Sequence, residues 1–378
     1  MKWFVGCLAI IGLCSLPGWT FAQHTQQAEP PAMHVITETF GQLPDGRTVH
    51  RYTLSNRHGT RVQLTDYGAI VTSVETFDKN GQRANINLGF PNLEGYLERH
   101  PYFGATVGRF CNRIAFGKFE LDGRTYTLAT NNGPHHLHGG IHGFDRRLWH
   151  ARPYQSEEEQ GVEFTLRSPD GDEGYPGNLE VTAVYALTDR NELRVEFRAE
   201  TDRPTILNLT NHNYWNLRGA GNGTILDHEL LLEADYYLPV DATLIPTGKV
   251  APVEGTPLDF RNYHRIGARI DQIPADPKGY DHCFVIRGEP GTLRRAARVR
   301  ERQSGRVLEV HTTQPGIQFY TGNFLSGGPS DGGFPQYGGF CLETQHYPDS
   351  PHHPHFPSTV LRPGQKFHEV TLYKFGVE

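Results

Sequence analysis

From residue 33 onward the apolar positions recur on a two-residue period with short polar breaks, the pattern of half-buried strands. In FELDGRTYTL, residues 119–128, the alternation stops at Asp122-Gly123 and then resumes, which predicts a two-residue hairpin. TFDKNGQRAN, residues 76–85, predicts the same at Asn80-Gly81. LEVTAVYALTDRNELRVEFRAE, residues 179–200, reads as two strands around a polar turn, and ARVRERQSGRVLEVHTT, residues 297–313, as another hairpin. The helical candidate is short, NLEGYLERH at 92–100. The 42 glycines and 26 prolines are dispersed as turn punctuation, with no composition break and no repeat of fixed period. The expectation is one all-β domain over residues 33–378, a large antiparallel β-sandwich with few short helices.

The beginning of the chain breaks this pattern. Lys2 precedes the apolar run WFVGCLAIIGLCSLPGW, and Thr20-Phe21-Ala22 follows it with small residues where a signal peptidase needs them. Residues 1–22 therefore read as a secretory signal peptide and 23–32, QHTQQAEPPA, as a disordered lead-in. Cys14 raises a lipoprotein alternative, against which Leu13 is bulky where a small residue is needed. The run is short for a membrane span. The expected product is exported, periplasmic or secreted, and free of the membrane after cleavage.

Composition changes the picture in three places. Hydrophobic residues make up 37% of the chain, enough for a real core, and the net charge of -6 argues against a nucleic-acid surface. The basic run RRAARVRERQSGR, residues 294–306, is broken by Ala, Val and Glu and reads as the solvated face of a hairpin. Cys111, Cys283 and Cys341 are odd in number and far apart, each among apolar or aromatic neighbours, so buried free thiols are expected rather than a disulfide framework.

Candidate chemistry lies where polar groups crowd beside aromatics: GRFCNRI (108–114), NNGPHHLHGG (131–140), SPDGDEGYPGN (168–178), TNHNYWNL (210–217), GYDHCF (279–284), QPGIQFYTGN (314–323) and GFCLETQHYPDSPHHPHF (339–356). Planar donors and acceptors flanked by Tyr, Trp and Phe suit a sugar, whose hydroxyls need hydrogen bonds and whose apolar ring faces stack on aromatic walls. Taken singly, most of these segments also have a structural reading: a lone histidine in a strand is usually a satisfied core or surface residue. Metal is the competing use of HHLH (135–138) and HHPH (352–355), but neither has zinc-site spacing. DGDEGYPGN begins like a calcium loop, then places Gly174 where a ligand is needed and Tyr175 where an EF-hand needs glycine.

In their order, GRxxNRI, LHGG…GFD…W, SPDGDEGYPG, TNHNYWNL, YDH, PGIQFYTGN and CLETQ resemble the aldose 1-epimerase, or galactose mutarotase, family from about residue 35 to the C-terminus. The resemblance implies a galactose mutarotase-type β-sandwich acting on a free aldose, without cofactor or metal. It implies His212 as general acid and Glu343 as general base, and Asn112, Arg113, His138, Asp281 and Gln318 as sugar-binding residues. Asn211 and Asn213 are expected to anchor the strand around His212, with Tyr214 and Trp215 walling the site. The partner is then a small-molecule aldose, on a monomer or homodimer.

The chemistry agrees with these residue types. Exchanging α- and β-anomers requires the anomeric hydroxyl to lose a proton while the ring oxygen gains one, so an acid and a base must face one hemiacetal. Two alternatives stand beside this: a hexose-6-phosphate 1-epimerase, which would want extra basic residues for phosphate, and a non-catalytic carbohydrate-binding protein.

Overall fold

The alternating segments form antiparallel strands in a computed structural model that describes residues 1–4, 6 and 34–378. The signal peptide and lead-in of the sequence reading fall almost entirely outside the described residues. Residues 1–31 and 32–378 separate into two units, and the fold below belongs to the second.

Three sheets carry most of it. A five-stranded meander runs in chain order from His34–Gln42 to Arg83–Asn85. A nine-stranded sheet follows the order His150–Gln155, Glu159–Ser168, Leu179–Thr188, Glu192–Thr201, Phe367–Val377, Arg306–Thr312, Arg294–Arg300, Glu229–Leu232, His264–Arg265. A six-stranded sheet follows the order Tyr214–Trp215, Phe340–Gln345, Gly316–Tyr320, Asp281–Ile286, Ala234–Tyr237, Ala251–Pro252. Among the described residues the α-helix is one turn, Glu94–Leu97, inside the predicted segment. Leu54 and Val74 of the meander, Phe164, Val195 and Phe197 of the nine-stranded sheet, and Phe284, Phe319 and Leu342 of the six-stranded sheet meet in one buried cluster. Each such side chain contributes about 1.5–3 kcal/mol on burial, and Phe319→Ala would cost about 3–5 kcal/mol.

The turns divide by chemistry. Asp122 and Gly123 both take positive φ, 50° and 74°, and join Lys118–Leu121 to Arg124–Thr127 as predicted. The Asn80-Gly81 turn is longer than two residues. Asp78 Oδ1 accepts the N–H groups of Asn80 and Gln82, both at 2.8 Å, so an Asx-held loop spans 78–82. The basic hairpin is a charged surface as expected: Arg295 pairs with Glu233, Arg298 with Glu309, and Arg300 with Glu229. Arg306 departs from it, buried and donating to the carbonyls of Leu217 and Gln82.

The six-stranded sheet positions the site. Residues opposite one another across its strands share a face. Tyr214, Cys341, Tyr320 and Asp281 form one cross-strand row, and Glu343, Gln318 and Cys283 the next. The alternate residues Trp215, Phe340, Leu342, Phe319 and Phe284 turn to the core. Tyr214 therefore serves the site and Trp215 does not: Trp215 packs on Tyr373 and Phe375, correcting the expectation that the aromatic pair forms one wall.

Candidate active site

A cavity of about 320 Å³ opens over this face, lined by Tyr102, Asn112, Arg113, Asn132, His138, His212, Tyr214, Thr243, Asp281, Tyr320, Phe324 and Glu343 among others. A wider cleft of about 770 Å³ adjoins it and shares Pro101, Tyr102, Leu137 and Phe324. The smaller cavity holds His212 and Glu343 together, with a ring of polar side chains around them.

His212 sits at a break between two short strands. Thr210–Asn211 pairs with Thr106–Val107, and Tyr214–Trp215 with Phe340–Cys341. Between them the His212 N–H donates to the Ala105 carbonyl at 2.9 Å, and the His212 carbonyl accepts the Gly104 N–H at 2.9 Å. Gly104 is required there: its φ is +65°, and a Cβ would meet the Val71 carbonyl oxygen at 2.0 Å. Asn211 anchors the segment by donating to the Gly104 carbonyl at 2.9 Å. Asn213 does not anchor through its side chain, both of whose polar atoms lack partners among the described residues. The imidazole lies nearly parallel to the rings of Tyr214, at 5.0 Å and 17°, and Tyr102, at 5.9 Å and 21°.

Glu343 enters from the neighbouring strand. Its Oε2 lies 3.6 Å from His212 Nε2, and both side chains are buried. That oxygen has no hydrogen-bond partner among the described residues. Burial pushes the Glu343 carboxyl well above the usual carboxylate range; nearby Asp281 adds to this and Arg113 opposes it. Burial drives His212 the other way, down to about 3. Burial thus disfavours the charged form of both groups, and a proton shared by the pair favours Glu343 over His212.

Asn112 and His138 form a reciprocal pair, both in the left-handed region with φ of 61° and 52°. The His138 N–H donates to the Asn112 carbonyl at 3.1 Å, and the Asn112 N–H donates to His138 Nδ1 at 3.2 Å. An acceptor at Nδ1 places the proton of the neutral ring on Nε2. Burial, then His212 and Arg113, hold His138 well below its ordinary range, so it presents a neutral N–H donor. Arg113 donates from Nε to Asn132 Oδ1 at 3.2 Å, and its Nη1 lies 3.8 Å from Asp281 Oδ2.

Of the sequence-predicted residues, His212, Glu343, Asn112, Arg113, His138 and Asp281 line one cavity. Gln318 does not line it. It is buried and donates to Asp281 Oδ1 at 2.6 Å, so it holds the carboxylate beside it. Tyr102 and Thr243 line the cavity but lie outside every polar motif singled out in the sequence. For Tyr102 the available signal was PYFG, an aromatic beside a glycine turn. The other singled-out histidines disperse: His135 bonds Phe116 N–H and Thr243, while His136 bonds the Ala129 carbonyl and Tyr175. His352 and His353 both pair with buried Asp349, which accepts the Ala115 N–H and thereby ties this tail to the strand carrying Arg113. The SPDGDEGYPG loop is structural: Glu173 accepts the N–H groups of Ile141 and His142, and Asp172 accepts from Arg147 and Ser168. Cys111, Cys283 and Cys341 are buried free thiols.

His138, His212 and Glu343 also offer ligand atoms within 4.8 Å of one another, the spacing of a three-residue metal site. The donor set fits a metal poorly. His138 Nδ1 is already an acceptor for a backbone N–H, which leaves a protonated Nε2 toward the cavity. A protonated Nε2 is a donor, and it coordinates a cation only as an imidazolate.

The profile described as Aldose 1-epimerase matches residues 50–374. The chain is 49% identical over 347 residues to galactose mutarotase from Bos taurus, covering 91% of this chain and 99% of that protein. It is 39% identical over 350 residues to aldose 1-epimerase from Escherichia coli strain K12, covering 91% and 100%. A crystal structure of galactose 1-epimerase from Lactobacillus acidophilus NCFM superposes with a TM-score of 0.80 at 31% identity, covering 92% of this chain and 99% of that one.

Proposed function

This chain belongs to the aldose 1-epimerase family and is an isomerase of the mutarotase kind, and from that premise we propose that it interconverts the α- and β-anomers of free hexoses such as D-glucose and D-galactose with His212 as acid and Glu343 as base. The observation that carries this assignment is the 3.6 Å approach of His212 Nε2 to Glu343 Oε2 within a cavity ringed by sugar-type donors and acceptors. The two oxygens of a hemiacetal share one carbon, so its acid and base must come from adjacent side chains.

The anomeric hydroxyl gives its proton to the Glu343 carboxylate. The bond from C1 to the ring oxygen breaks, and that oxygen takes a proton from His212 Nε2. C1 becomes a free aldehyde and rotates about C1–C2. Closure on the other face returns the hydroxyl proton to His212 while Glu343 reprotonates the former carbonyl oxygen. The pair ends as it began, with one shared proton. Burial favours neutral carboxylic acid and neutral imidazole, which is the arrangement facing the open-chain sugar. The closed sugar needs the same proton on His212. Sugar hydroxyls donating to Glu343, together with Arg113, favour the carboxylate and drive that transfer. His138 Nε2–H, Arg113, Asn112 and Asp281 hold the hydroxyls around the reacting carbon.

Polarimetry with freshly dissolved α-D-glucose and α-D-galactose tests the activity: decay to equilibrium must accelerate in proportion to protein. A protein that binds either sugar without accelerating its decay would leave only the non-catalytic reading.

We also propose export with cleavage after Ala22, on the strength of Lys2, the apolar run and Thr20-Phe21-Ala22. N-terminal sequencing of the protein from its native host should begin at Gln23; an intact Met1 would refute export.

A further inference from the structure

The nitrogen of His212 that faces away from Glu343 has an unusual neighbour. Nδ1 lies 3.6 Å from Cys341 Sγ, and no other hydrogen-bond partner of that nitrogen occurs among the described residues. The contact is built by register. Cys341 stands directly opposite Tyr214 across the strand pair, two residues before Glu343 on the same face, so one strand supplies a partner to each nitrogen of the imidazole. The rings of Tyr214 and Tyr102 both lie nearly parallel to the imidazole plane. The other groups facing this ring are Glu343 and His138.

The direction of this hydrogen bond follows from the reaction. While His212 carries the catalytic proton, both ring nitrogens bear hydrogen, and Nδ1–H needs an acceptor. The sulfur is the atom in place. After Nε2 releases its proton, Nδ1–H remains and the same bond persists, so neither ring nor thiol reorganises during turnover. An uncharged sulfur is also a weak acceptor. A carboxylate in its place would stabilise the imidazolium and blunt the acid.

We propose that Cys341 is a positioning residue whose sulfur accepts the N–H of His212 Nδ1, so that Nε2 is the ring atom that takes up and releases the catalytic proton. The inference rests on the reading of His212 as the acid. It reaches past the acid and base themselves to the group that decides which nitrogen works. A free neutral histidine favours hydrogen on Nε2, so loss of the sulfur should return the ring toward that tautomer and leave Nε2 unable to accept a proton.

The experiment uses ¹⁵N-histidine-labelled protein, with the His212 signals identified by their loss in His212→Asn. In the unsubstituted protein at neutral pH, Nδ1 should show the shift of a protonated nitrogen and Nε2 that of a bare one. Cys341→Ala should move the ring toward Nε2–H and lower kcat about 3- to 10-fold, the worth of one modest hydrogen bond, with KM unchanged. Cys341→Ser, whose oxygen also accepts, should restore both the tautomer and kcat. A starting protein with hydrogen on Nε2 and a bare Nδ1, or an unchanged tautomer in folded Cys341→Ala, overturns the proposal. A tautomer that shifts as described while kcat stays constant upholds the role of Cys341 and instead removes His212 as the acid.

Discussion

The side-chain amide of Gln318 donates to Asp281 Oδ1 at 2.6 Å, and its own oxygen faces Gln345 Nε2 at 3.4 Å. Gln345 Oε1 in turn accepts from the Cys111 thiol at 3.3 Å. This chain of donors points one way, from Cys111 through two glutamines to Asp281. It occupies Asp281 Oδ1 and leaves Oδ2 toward Arg113 and, in the proposed reading, the sugar. Gln318→Leu should therefore weaken sugar binding through Asp281, raising KM about 10-fold, the scale of one hydrogen bond to a charged group. Asp281→Asn should produce a similar rise. Because both changes act on one carboxylate, the double variant should be little worse than either single one. Fully additive losses in a titration with D-galactose would show that Gln318 contacts sugar on its own.

Turnover should survive metal removal. The cluster of His138, His212 and Glu343 has the spacing for a cation, but His138 accepts the Asn112 N–H at Nδ1 and turns a protonated nitrogen to the cavity. Dialysis against a strong chelator should leave the mutarotation rate unchanged, and added zinc should inhibit by competing for His212 and Glu343. A chelator-induced loss restored by zinc or calcium would reverse the argument about His138.

The pH profile should lack the usual histidine inflection. Burial lowers His212 to about 3 and raises Glu343 well above the carboxylate range. The pair therefore keeps one mobile proton from about pH 3 upward, until Glu343 gives it up. Moving that proton between the two groups changes no net charge, so pH does not select between them. As pH falls through 6.5, where a free imidazole would charge, no second proton is taken up and kcat/KM should stay flat. Rate profiles on protein shown to be folded at each pH check this. An acid limb near 6.5 that vanishes in His212→Asn would mean the imidazole titrates as if exposed.

Much of this site was legible in the residues, and the failures have particular causes. Alternation and turn chemistry foretold the strands and the Asp122-Gly123 hairpin because both are local. The approach of His212 to Glu343 joins positions 131 apart in sequence, and only the order of strands in the sheet creates it. The resemblance supplied that pairing; periodicity did not. Tyr214 and Trp215 looked equivalent because strand phase is invisible until one knows which face is buried. Gln318 came as a sugar-binding residue from the resemblance; it stands in the row beside that of Asp281 and reaches that carboxylate instead of the cavity. Cys341 was read correctly as a buried thiol, but its contact with His212 depends on the register of two strands. Tyr102 stood outside every polar motif because its role comes from ring position rather than polarity.

His212 and Glu343 handle one proton on one hemiacetal, and their substitution should show it. Positioned proton transfer contributes about 10²–10⁴-fold per group, so Glu343→Gln and His212→Asn should each lower kcat by about that much. Both replacements stay near the original size and keep hydrogen-bonding atoms, so circular dichroism and sugar binding should be nearly preserved. Glu343→Gln also puts a neutral group where burial already disfavours a charged one, which argues that its activity loss comes from chemistry and not from unfolding. When one member is absent the other has no partner to complete the exchange. The double variant should therefore lose far less than the product of the single losses. Mutarotation rates for the three variants, measured beside Arg113→Ala as a binding control expected to raise KM first, decide the matter. Near-normal turnover in folded Glu343→Gln would move the base to another carboxylate, with Asp281 the nearest candidate on that face.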